Sequence, residues 1–248
     1  MTAFSWHDAY ASELQSLYSL LVVPVAFLAW RLAAPTDPAR AVVPGAARLV
    51  AATTLVFAFE TMLDPIATGP LVRSEALRDT VAATLLPFLF VFLGDLRVLF
   101  VALAVTETEA PLARILARAS AATAIVPIAT GALYSALRWL WPDVHGQWLW
   151  MIYEAGFLGL CVYGARVWLP RRSARIDALG VEGRSFLGSL FGYSAAYYAL
   201  WLAADVLIVL AGLDLGWAIR MVPNQLYYAF WTPFVYARFF SGPPAKAA

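Results

Sequence analysis

Residues 80–105 read TVAATLLPFLFVFLGDLRVLFVALAV. The run is almost continuously apolar and long enough to cross a bilayer, for which a helix needs roughly 20 residues. Two charges interrupt it, Asp95 and Arg97. In water such a segment would be an aggregation hazard. In a bilayer it reads as a central helix with a polar lesion near mid-depth. Charge at that depth is costly, so it faces the protein interior or water and marks a functional candidate.

The rest of the chain agrees. Of its 248 residues, 62% are hydrophobic and only 13% are charged, and the mean hydropathy is +0.72. Soluble domains carry about 25% charged residues, so the composition is that of an integral membrane protein. The length suits one all-α bundle, a single domain over 1–248 with a short outer segment at 1–13 and a cytoplasmic tail at 241–248. A net charge of +1 gives no case for nucleic acid. The single cysteine, Cys161, excludes an internal disulfide and a cysteine metal cluster. Residues 1–13 hold no Lys or Arg, so the basic start of a secretory signal is missing and the first apolar segment is expected to be retained.

Hydropathy predicts seven spans, over 14–32, 46–63, 80–105, 115–137, 148–169, 185–210 and 218–240. The breakers fall between them: APTDPA (34–39), DPIATGP (64–70), Pro111, WPDVHG (141–146), Pro170 and SGPP (241–244). Basic residues set the orientation. Arg31, Arg40, Arg48, Arg114, Arg118, Arg166, Arg171, Arg172, Arg175, Arg184, Arg238 and Lys246 gather on one side. The other side has only Arg73, Arg78, Arg138 and Arg220. The positive-inside rule then puts the N-terminus outside and the C-terminus in the cytoplasm, here of a bacterial inner membrane. Membrane lipids are the expected surroundings. Short matches between the first three and last three spans, such as Pro87-Phe88 with Pro233-Phe234, would fit a parallel repeat.

Four acids fall within spans: Glu60, Asp95, Glu154 and Asp205. Asp64 lies one turn beyond Glu60 on the same face. On this topology Glu60, Glu154 and Asp205 share the outer half, and only Arg97 is a comparably deep base. Uncompensated anions in a low dielectric repel, so the cluster implies protonation or a bound cation. Arg97 points away from Asp95 and lies about two turns from the cytoplasmic end, within reach of the interface, so it is expected to snorkel toward Glu107 or Glu109. Tyr193, Tyr197, Trp201 and Asp205 recur at spacing four, and Asn224 and Gln225 lie on the last span, which Pro223 and Pro233 are expected to bend. Aromatics around an acid suit a protonated or quaternary amine. The plainer reading is that each acid only hydrogen-bonds a neighbouring helix.

Several classes are excluded. The histidines, His7 and His145, lie outside the spans, which removes bis-histidine haem and an intramembrane histidine metal centre. No span contains Lys, which removes a retinal Schiff base. No cofactor is evident. The leading expectation is binding or transport of a small cationic or amphipathic ligand or protons through Glu60, Asp64, Asp95, Glu154, Asp205, Asn224, Tyr197 and Trp201. The alternatives are a membrane enzyme acting on a lipid or isoprenoid by carboxyl acid–base chemistry, and a non-catalytic sensor or scaffold.

Overall fold

The computed structural model describes residues 4–34 and 36–242; Lys246 and the tail beyond 242 lie outside the described residues. It is 83% helical, with no strand among the described residues. Among the described residues six helices are long and apolar enough to cross a membrane: Leu14–Ala33, Pro44–Leu71, Val81–Thr106, Leu112–Leu140, Gln147–Arg171 and Gly180–Val209. They are compatible with an integral membrane protein.

The elements run as follows. A short α1 (Trp6–Ala11) leads through a π-turn into α2 (Ser19–Ala33). Then come α3 (Ala47–Ile66), α4 (Val81–Thr106), α5 (Leu112–Leu140) and α6 (Gln147–Tyr163). Two short helices, α7 (Leu169–Arg171) and α8 (Ser173–Ala178), precede α9 (Gly180–Val209). Last are α10 (Leu215–Asn224), a π-helical stretch Gln225–Phe230, and α11 (Trp231–Phe239).

Residues 215–239 are thus helical throughout and long enough to span. Arg220, Asn224 and Gln225 make them too polar to join the six apolar helices.

Three expectations about boundaries are corrected. DPIATGP does not break the chain: α3 runs through Pro65, and a π-turn, Ala67–Leu71, continues it. Pro170 likewise sits inside a helical run. Proline stops helices in water, but inside a bundle neighbouring groups satisfy the carbonyl it frees. The sixth span also starts earlier than 185. Gly180 adopts φ 72°, a conformation strained for other residues, and lets the chain turn straight into α9. The start of α4 follows local chemistry, with the Thr80 side chain accepting from the Ala83 N–H.

Each long helix packs on the next in chain order, and the run from α10 to α11 returns to α2 and α3, closing a ring. The second half of α4 lies at the centre of the bundle: over 94–106 only Leu99 is not buried. By contrast Val22, Val56, Leu85, Phe88, Ile125 and Ile128 are exposed around the bundle. A soluble monomer rarely presents so much apolar surface, whereas lipid accepts it.

Candidate functional site

Asp95 and Arg97, two positions apart on α4, point to different neighbours. Both Asp95 oxygens accept from tyrosine hydroxyls, Oδ2 from Tyr153 on α6 and Oδ1 from Tyr198 on α9. Two hydroxyl donors would satisfy an ionised carboxylate, which can only accept. Gly94 makes room beside it, because the Tyr227 ring and hydroxyl occupy the space a Cβ would take.

Arg97 does not snorkel. It is fully buried, its Nη2 donates to the Tyr227 carbonyl at 2.7 Å, and its guanidinium lies 4.1 Å from the Tyr227 ring centre and 4.5 Å from that of Trp231. Two aromatic faces replace water around the charge. The carbonyl it takes belongs to the π-helical stretch, as does that of Leu226, which accepts from Tyr193 at 2.8 Å.

Glu107 has other partners. It accepts from Arg118 at 2.6 Å and from Arg172 at 2.9 Å, with Arg175 3.7 Å away. Burial pushes its carboxyl up, but the hydrogen bonds from Arg172 and Arg118 outweigh burial and hold it below the ordinary carboxylate value.

Glu154 on α6 and Asp205 on α9 meet at one cation, Arg220 on α10. Arg220 pairs directly with Asp205 and lies 3.5 Å from Glu154 Oε1. Gln147 donates to the second Asp205 oxygen at 2.7 Å. These acids are therefore not uncompensated, and Arg97 is not the one deep base. Counting Arg220 as a loop-end charge hid this. Its spacing of four from Asn224, on the stripe that continues to Tyr228, was the available signal.

Asp95, Glu154 and Arg220 line one cavity of about 330 Å³ with Gln147 and Asn224. Its walls are aromatic: Tyr10, Trp150, Tyr153, Tyr198, Trp201, Trp217, Tyr227 and Tyr228. Trp201 donates to Asn224 at 2.8 Å, which fixes the indole edge. The N-terminal α1 leans on this end because the Trp6 and His7 N–H groups donate to Asp214 at 2.6 and 3.1 Å. That contact brings Tyr10 to the cavity. Sequence reasoning missed Tyr10, Gln147, Trp150, Tyr153, Trp217 and Arg220 as members of the site.

The remaining candidates lie elsewhere. Tyr197 is buried among Tyr193, Tyr198, Trp201 and Tyr227, does not line the cavity, and its hydroxyl has no partner. Glu60 and Asp64 lie buried one turn apart on α3, outside the cavity lining. Thr68 donates to Asp64 at 3.2 Å, and neither Glu60 oxygen has a hydrogen-bond partner. Among the described residues no three His, Cys, Asp or Glu side chains converge as metal ligands.

Fold and site define a helical bundle, compatible with an integral membrane protein, that encloses an aromatic-walled polar cavity. Compared with protein-family models, curated proteins and solved structures, the chain matches none of them.

Proposed function

We propose that this is a seven-helix membrane protein that binds a small organic cation in the cavity between α4, α6, α9 and α10. The observation carrying the proposal is Asp95, a buried carboxylate whose partners are two tyrosine hydroxyls, set in the wall of an aromatic cavity. Three acids serve this region, Asp95, Glu154 and Asp205, against one lining cation, Arg220. Glu154 Oε2 is buried and unpartnered. An incoming ammonium would meet the Asp95 carboxylate and the faces of several rings, each contributing about 0.5–2 kcal/mol. The volume lies near the lower end of ligand pockets, roughly 300–1,000 Å³, which favours a compact guest.

The seventh span in this reading is 215–239, whose polar members Arg220 and Asn224 turn inward and are buried. In this reading the asymmetry of basic residues favours an outward orientation for the cavity end lined by Trp150, Trp217 and Tyr10.

The test is a titration of the detergent-purified protein with benzyltrimethylammonium, followed by tryptophan fluorescence. Trp150, Trp201 and Trp217 line the cavity and report occupancy. Saturable quenching by this cation, with none by benzoate at the same concentration, is expected. Equal response to benzoate, or no saturation, overturns the reading.

A further inference from the structure

A second, unrelated site lies where α4 ends. We propose that it holds one anionic phospholipid, with the headgroup phosphate on Arg114, Arg118 and Arg175 and an acyl chain in the apolar groove between α4, α5 and α6. This does not rest on the cation-binding reading.

Two cavities meet there. One, of about 470 Å³, is lined by Glu107, Arg114, Arg118 and Arg175; the other, of about 370 Å³, is lined by Ala102, Ala121, Ala122, Ile125 and Leu160. Arg118 belongs to both, and it is the only charged side chain in the second. Spacing explains the join. Arg118, Ala121, Ala122 and Ile125 share one face of α5, so the arginine stands at one end of an apolar strip about 10 Å long. Small side chains, Ala102 on α4 with Ala121 and Ala122 on α5, leave the groove unfilled along that strip. Ile125 and Tyr163 are exposed, so the groove opens on the outer surface of the bundle. A guest that fits is apolar along its length and anionic at one end.

The charge at that end is positive. The buried Glu107 carboxylate holds Arg118, Arg172 and Arg175 around it, while the Arg118 and Arg175 side chains stay 44% and 64% exposed. With Arg114 and Glu109 also lining the cavity, four arginines face two glutamates, and two positive charges are left unmet. Glu107 acts as an internal clamp that aims guanidinium forks at a shared point. Such forks match phosphate oxygens two at a time. A zwitterionic headgroup brings its own cation and gains less.

The experiment is thermal stability and native mass spectrometry of the full chain in neutral detergent. The probes are phosphatidylglycerol, phosphatidylcholine with the same acyl chains, and glycerol 1-phosphate. The variants are Arg175→Gln, Arg118→Gln and Ala122→Phe, the last filling the groove without touching a charge. Phosphatidylglycerol is expected to raise the melting temperature and to stay bound as one adduct, while phosphatidylcholine and glycerol 1-phosphate do neither. Each arginine variant should weaken phosphatidylglycerol binding about fivefold, and Ala122→Phe should weaken it with unchanged stability in its absence. If Arg118→Gln fails to fold because Glu107 loses a partner, the other two variants decide. Equal effects of the two lipids, stabilisation by glycerol 1-phosphate alone, or full phosphatidylglycerol binding in both Arg175→Gln and Ala122→Phe overturns the proposal.

Discussion

Arg220 on α10 pairs with Asp205 on α9 with both side chains buried, and the same guanidinium reaches Glu154 on α6. One charge thus ties three helices at the end of the bundle where α1 leans. Removing one member of such a group leaves the others charged and dry, at a cost of about 3–5 kcal/mol. Arg220→Gln is therefore expected to lower the melting temperature sharply in detergent. The triple variant that also carries Asp205→Asn and Glu154→Gln should recover much of the loss. An Arg220→Gln protein as stable as wild type would show that the pair does not hold the helices.

Gly94 on α4 abuts Tyr227 so closely that a Cβ there would overlap the phenol. Tyr227 cannot swing away, because Arg97, Tyr197 and Trp201 box its ring. Gly94→Ala should cost about 1–3 kcal/mol through overpacking. Pairing it with Tyr227→Leu should cost less than the two changes summed. Strict additivity in denaturation or thermal melts would argue against the contact.

Glu107 gives a pH dependence with a definite sign. Its folded-state pKa lies below the ordinary value of 4.5, held there by Arg172 and Arg118 against burial. Its contribution is therefore complete above the unfolded value and is lost as pH falls through the lower folded value. With its partners partly exposed, Glu107→Gln should cost about 1–2 kcal/mol at pH 7. The gap between wild type and variant should close in strong acid. Melting curves of both proteins at pH 7 and pH 3 check this; a gap that stays constant would contradict it.

The positions of the long helices were legible because apolar runs and their breakers carry that information directly. The run at 80–105 corresponds to α4 within a residue. What the sequence hid was partnership. Glu154 and Asp205 read as bare anions because Arg220 looked like a topology charge near a loop. Asp95 looked unexcused because its donors, Tyr153 and Tyr198, sit on α6 and α9, and no spacing rule links separate helices. Arg97 was assigned to the interface by the reach of its side chain. Its aromatic stack on Tyr227 and Trp231 depends on the π-helical turn between Pro223 and Pro233, which local pattern does not announce. DPIATGP failed as a breaker because the rule presumes water around the freed carbonyls.

The central claim is that Asp95 and the surrounding rings form a cation site, and the most direct measurement compares wild type with Asp95→Asn. Both are titrated with benzyltrimethylammonium by isothermal calorimetry in the same detergent, alongside their melting temperatures. The amide keeps the shape and still accepts one tyrosine hydroxyl, so the fold is expected to survive. Loss of the charge should weaken binding about tenfold or more, as for a hydrogen-bonded ionic contact of roughly 1.5–3 kcal/mol. A folded Asp95→Asn protein that binds the cation as tightly as wild type would contradict the account.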